Sequence, residues 1–224
     1  MRKRIILATL ALAGAMALSG CGGSKSASKN GKILTVEEGP DVETIDPALN
    51  QSADGANYIT MISDNLLRID KDGKIAPSMA EKYEVSDDGL TWTFHLRDGL
   101  KWSDGSDFTA NDFVYSWQRM VDPEVAAPYA ETMLGMVDGY KDAIGNPDAN
   151  GNTTTTPDRT KLKVEAPDDK TFVVHMSHPT PYFDRLATFA ALSPVKKEVV
   201  EANPDGWSLD PKTYVSTGPF KLTE

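Results

Sequence analysis

Thr91-Trp92-Thr93-Phe94-His95-Leu96-Arg97 runs into Asp98-Gly99. Trp92, Phe94 and Leu96 alternate with Thr93, His95 and Arg97, so a strand here buries one aromatic face and leaves the other toward water. Asp98-Gly99 turns the chain. Leu100 and Trp102 then continue the buried set before a second turn at Ser103-Asp104-Gly105. Thr109-Ala110-Asn111-Asp112 follows, with an acid three places after a capping threonine, which is how a helix starts. Phe113, Trp117 and Met120 recur at i, i+4 and i+7 and give that helix one apolar face. Asp122-Pro123 stops it.

Outward from this unit the chain keeps mixing strands and helices. Upstream, Asn57 to Leu67 holds Tyr58, Ile59, Ile62 and Leu66 at helical spacing, and Asp70-Lys71-Asp72-Gly73 reads as a turn. Ile33-Leu34-Thr35-Val36-Glu37 reads as a short strand stopped by Gly39-Pro40. Downstream, Asn146 to Asp158 is an Asn, Gly, Pro, Asp and Thr loop with four consecutive threonines. Leu162, Val164 and Ala166, then Phe172, Val174 and Met176, alternate around a turn at Asp168-Asp169. Tyr182 to Phe189 reads as a short helix opened by Pro179-Thr180-Pro181, and Val215 to Leu222 as a further strand. The expected fold class is α+β, mixed α/β.

The 224 residues are 40% apolar and 25% charged, enough for a packed core. Thirty-three acids against twenty-three bases leave a net charge of −10, which repels nucleic acid and anionic headgroups. With no basic patch interleaved with aromatics, no nucleic-acid partner is expected. Met1-Arg2-Lys3-Arg4 is a basic start, and Ile5 to Leu18 is apolar or small except for Thr9. That run is too short for a comfortable membrane span and has the form of a secretory signal. It ends in Leu18-Ser19-Gly20-Cys21, which resembles the lipobox of bacterial lipoproteins. The resemblance implies cleavage before Cys21 and lipid on its thiol, with acyl chains as the membrane attachment. The plain alternative for a lone cysteine is a small buried apolar residue. Being the single cysteine, Cys21 has no disulfide partner in this chain. Gly22 to Lys32 is too polar to bury area and reads either as a tether or as a terminus without a role.

Motifs for chemistry are scarce. No G-x-S-x-G, H-E-x-x-H, Walker A or G-x-G-x-x-G pattern occurs. His95 and His175 lie opposite the apolar residues of their strands and are expected to face solvent. His175 and His178, three apart in extended chain, point to opposite faces. Asp148-Ala149-Asn150-Gly151-Asn152 opens like a calcium loop, but Thr153 stands where glycine is needed and Arg159 where a glutamate is. No metal, no cofactor and no enzyme activity are expected.

One long stretch carries more than its periodicity. Ile75-Ala76-Pro77-Ser78-Met79-Ala80-Glu81-Lys82-Tyr83 leads through Ser86-Asp87-Asp88-Gly89-Leu90-Thr91-Trp92-Thr93-Phe94 and Leu100-Lys101-Trp102-Ser103-Asp104-Gly105 to Phe108-Thr109-Ala110-Asn111-Asp112-Phe113-Val114-Tyr115-Ser116-Trp117. It resembles the signature of family 5 extracellular solute-binding proteins, the oligopeptide and dipeptide binders of ABC importers. Asp46-Pro47, Arg119-Met120-Val121-Asp122-Pro123, Ala127-Pro128-Tyr129-Ala130, Pro179-Thr180-Pro181-Tyr182-Phe183 and Ser216-Thr217-Gly218-Pro219-Phe220 agree with it.

The resemblance implies a bilobal, periplasmic-binding-protein-like fold, of which this chain supplies the first lobe in part and the domain inserted in it. The expected division is 1–20 signal peptide, 21–32 lipidated cysteine and tether, 33–63 first segment of lobe I, 64–195 inserted domain II, and 196–224 return to lobe I, with lobe II missing and the chain truncated. It implies a monomeric receptor on the outer face of the cytoplasmic membrane that binds short peptides and hands them to importer permease subunits. It also implies that Asn50, Gln51, Ser52, Ala53 and Asp54 run extended beside the peptide backbone, offering N–H and C=O groups as in strand addition. Related binders can have an acid where Gln51 stands. Tyr129 matches a tyrosine lining the peptide site, or is a partly buried core tyrosine. Within the family the ligand alternatives are nickel chelates, haem, sugars and signalling peptides. Outside it stand a surface hydrolase and a structural or chaperone-like lipoprotein.

Overall fold

The computed structural model describes Gly39 and residues 41–223. The signal, the lipobox with Cys21, the tether and the strand expected over Ile33–Glu37 lie outside the described residues.

A four-stranded antiparallel sheet carries the main core. β3 (Ala80–Val85), β4 (Thr91–Leu96), β5 (Val164–Asp168) and β6 (Thr171–His175) lie in the order β3-β4-β6-β5. Phe94 faces Phe172 and Trp92 faces Val174 across the β4–β6 pair. Their alternation puts Trp92, Phe94, Leu96, Phe172 and Val174 on one buried face. Helix α2 (Ala110–Met120) covers that face with Phe113, Trp117 and Met120, each at most 1% exposed. Trp117 meets Phe172 edge-on at 4.9 Å between ring centres, and Phe183 closes the cluster from α5 (Phe183–Leu186). The helix starts where the sequence places it: a carboxylate oxygen of Asp112 accepts the Thr109 N–H at 2.8 Å.

Ahead of this sheet, α1 (Ala53–Ile62) leads to a small hairpin, β1 (Leu67–Ile69) and β2 (Ile75–Pro77). The hairpin turns where Asp70 accepts N–H bonds from Asp72 and Lys74, both at 2.9 Å. The described residues also form the short helices α3 (Ala130–Leu134), α4 (Tyr140–Ala143) and α6 (Lys197–Ala202). A second, smaller core gathers Ile45, Ile59, Ile62, Ala190, Val195, Val200, Trp207 and Tyr214. The two cores meet along α2, where Ser116 Oγ accepts the Val195 N–H at 2.9 Å and Trp117 Nε1 donates to the Leu192 carbonyl at 3.2 Å.

Several expectations need correcting. The helix expected over Asn57–Leu67 is α1, which begins four residues earlier. Ser52 caps it by accepting the Gly55 N–H at 2.9 Å, and Ser63 ends it in an extended conformation. Leu66 and Leu67 lie beyond it, drawn into the hairpin and the main core. Val215–Leu222 is not a strand. Its backbone is claimed elsewhere: the Ser216 N–H by Ser103 Oγ at 3.1 Å and the Gly218 N–H by the Ile62 carbonyl at 2.8 Å, while Pro219 has no N–H to give. The helix in Tyr182–Phe189 is only the single turn of α5. His95 and His175 do lie opposite the apolar face, with side chains 30% and 38% exposed beside Glu84 and Glu165 on the flanking strands at 3.5 and 3.0 Å. The loop over 146–158 is irregular as expected, with Asp148 accepting the Asn150 and Asn152 N–H groups.

Candidate ligand-binding segment

Asp46 is the root of the segment that the resemblance singles out. It is 1% exposed. One carboxylate oxygen accepts the Ala48 N–H at 3.0 Å, and its carbonyl accepts the N–H groups of Leu49 and Asn50. Such a turn would be free to swing if nothing held the carboxylate. Arg119, near the end of α2, reaches it with both guanidinium nitrogens: Nη1 to Oδ1 at 3.0 Å and Nη2 to Oδ2 at 2.6 Å. Among the described residues this is the one ion pair with both side chains under 10% exposed. A second anchor sits next to it, where the Tyr214 hydroxyl donates to the Ile45 carbonyl at 3.0 Å. Burial raises the Tyr214 pKa well above the usual tyrosine value.

From that root the chain passes through Asn50, which is buried and spends its side chain locally. Its Oδ1 accepts from the Ser52 N–H and hydroxyl, and its Nδ2 donates to the Ser52 carbonyl at 2.9 Å. Gly55 must be glycine for this nest to close, since a Cβ there would lie 2.0 Å from Asn50 Oδ1. Asn50 to Ser52 are non-helical, but Ala53 and Asp54 already belong to α1, which corrects the expectation of an extended run through Asp54. Ser52 cannot cap a helix and leave the next residue extended. Gln51 is exposed, and neither its N–H nor its C=O has a partner among the described residues. An open cleft of about 490 Å³ lies against it, lined by Glu43, Thr44, Asn50, Gln51, Ser52 and Ser208, among others.

Tyr129 is not among the residues lining that cleft. It is the N-cap of α3, half-buried and packed on the main core. Three residues earlier Ala126 has φ 53°, a left-handed conformation that costs a non-glycine residue energy and bends the chain into Ala127-Pro128-Tyr129. Asp46 and Arg119 both stand in segments read from the sequence, but nothing in the sequence pairs residues 73 apart. An arginine on the helix bearing Phe113, Trp117 and Met120 is the one available signal. Among the described residues no group of three or more His, Cys, Asp or Glu is placed to hold a metal ion.

Residues 74–224 match the bacterial extracellular solute-binding proteins, family 5 (middle). The periplasmic oligopeptide-binding protein OppA of Salmonella typhimurium is 37% identical over 219 residues, 97% of this chain and 38% of that protein. The probable deoxycholate-binding periplasmic protein YgiS of Escherichia coli is 35% identical over 184 residues, 82% of this chain and 33% of that one. Among solved structures, the OppA of Haemophilus influenzae in complex with RPPGFSPFR superposes with a TM-score of 0.75 at 38% identity, covering 84% of this chain and 35% of its own. The chain therefore spans well under half the length of the relatives it matches. With the fold, the signature stretch and these likenesses in agreement, the chain belongs to the family 5 bacterial extracellular solute-binding proteins.

Proposed function

We propose that this chain acts in an extracytoplasmic receptor that captures oligopeptides and delivers them to the permease of an ABC importer. The observation that carries the reading is Gln51: an exposed residue with both backbone hydrogen-bonding groups unclaimed among the described residues, beside a cleft, on a segment rooted in the core. Such a segment suits an extended peptide backbone and places little demand on its side chains. Closure of a second lobe over the peptide completes the site, a hinge motion suited to handing cargo onward. Tyr129, outside that cleft, contributes an aromatic wall where the ligand extends beyond it. The domain division at 64 and 195 is supported by the two cores, since most of the smaller one falls in 33–63 and 196–224. The receptor is a monomer, works without a cofactor, leaves its peptides uncleaved, and is held at the membrane by lipid on Cys21.

Calorimetry on the receptor isolated from its cells tests the reading. Trialanine and pentaalanine should bind with measurable heat and be recovered intact. A second ligand class has specific support, because one 35%-identical relative is named for deoxycholate. Binding of deoxycholate with no heat from either peptide overturns the peptide reading, and hydrolysed peptide overturns the non-enzymatic one.

A further inference from the structure

We infer that Arg119 is a positioning residue for ligand capture: through its two-pronged bond to Asp46 it holds the backbone of Asn50–Ser52 in a ready-to-bind shape. The inference deepens the peptide-receptor reading and rests on it for the identity of the ligand.

Residues 46–52 belong to no helix or strand. Their shape is fixed by short-range bonds that converge on two side chains, Asp46 and Asn50. Those bonds shape the turn but tie it to nothing distant. The ties come from Arg119 on α2 and Tyr214 on the smaller core. α2 is a closely packed platform, because its apolar face is sealed against the sheet. A segment that ordered itself only on meeting ligand would subtract that ordering entropy from affinity; one held beforehand does not.

A purely stabilising role fits the pair poorly. Two buried ions lose their hydration, and an apolar pair of similar volume is often as stable or more so. What apolar residues cannot supply is a directional grip that fixes both carboxylate oxygens at once. The planar guanidinium supplies it and an ammonium does not. Asp46 Oδ1 is shared between Arg119 and the Ala48 N–H, so the grip passes directly into the turn that leads to Gln51.

Two variants of the isolated receptor test this: Arg119→Lys, which keeps the charge without the fork, and the neutral double variant Asp46→Asn with Arg119→Met. Each is titrated with trialanine and pentaalanine, melted, and followed by amide hydrogen exchange without ligand. In both, affinity should fall roughly tenfold or more, with the melting midpoint within about 4 °C of the parent. Exchange at the bonded amides of Ala48, Leu49, Asn50 and Ser52 should quicken by a similar factor while β4 and α2 keep their rates. Lys170→Ala, which breaks an exposed pair with Asp98, should change neither. Unchanged exchange at those amides overturns the inference, as does a global loss of protection and melting point in both variants. If the parent binds neither peptide, the function proposed above fails, and the exchange pattern still decides the role of Arg119.

Discussion

Gly218 shows how one residue can join distant parts of the chain. A Cβ there would lie 2.5 Å from the Ile62 carbonyl carbon and 2.6 Å from the Ser63 nitrogen. These are backbone atoms at the end of α1, so they cannot step aside as a side-chain tip would. Gly218→Ala should therefore cost about 1–3 kcal/mol in urea denaturation and break the Gly218 N–H bond to Ile62. Tyr140 gives a different prediction. Burial pushes its pKa up to about 12. The unfolded chain then loses this proton near the ordinary tyrosine value while the folded chain keeps it, so the stability linked to it is complete below pH 10 and lost as pH rises toward 12. In denaturation midpoints across pH 9 to 12, Tyr140→Phe should flatten part of the alkaline fall. Residues of this kind were illegible in advance. Gly218 sits in a stretch that reads as a strand, and only the bonds from the Ser216 N–H to Ser103 and from the Gly218 N–H to Ile62 show otherwise. Asn50 was singled out as a contact for ligand, yet its side chain is consumed in shaping the nest around Ser52.

Secondary structure was most legible where a local signal and a long-range partner agree. For α2 both do. The Thr109–Asp112 box marks its start, and Phe113, Trp117 and Met120 mark the face it buries. Asp112→Ala removes the acceptor of the Thr109 N–H and should destabilise the protein by about 1 kcal/mol. Phe172→Ala, which empties the centre of the ring cluster between β6 and α2, should cost about 3–5 kcal/mol. Both are measurable as shifts in urea midpoint at constant slope. β4 and the β5–β6 hairpin were equally plain from alternation and turn residues. β3 was not, although Tyr83 stacks on Trp92 at 5.5 Å, because Glu81, Lys82 and Glu84 crowd the strand with charge. α1 was displaced because its apolar periodicity continues into Leu66 after the backbone has left the helix. The short helices α3 and α4 have too few residues to show a period, whereas α5 was announced by Pro179-Thr180-Pro181 and is only shorter than expected.

For the whole chain, the sequence named the family through the signature at Ile75–Trp117, and the fold and the relatives agree. The sequence offered the candidate site only as a stretch, 50–54, together with Tyr129. Its root at Asp46 and Arg119 emerges when α2 is laid against the smaller core, a placement that no spacing along the chain encodes. The proposed lipid attachment at Cys21 is tested at this scale too. The native protein should partition into detergent on phase separation, and Cys21→Ala should move it to the aqueous phase; unaltered partitioning of the variant removes Cys21 from that role.

The sheet also has two outer strands, β3 and β5, whose free rims are natural places for another strand to add. Neither offers a straight run of open bonding groups. β3 breaks register between Ala80 and Lys82 and projects charged Lys82 and Glu84. β5 breaks register between Glu165 and Asp168 and places Pro167, which has no proton to donate, in the gap. Extended peptide is the very form such rims would capture. By spoiling both, the fold keeps any extended chain it meets from zipping onto these rims.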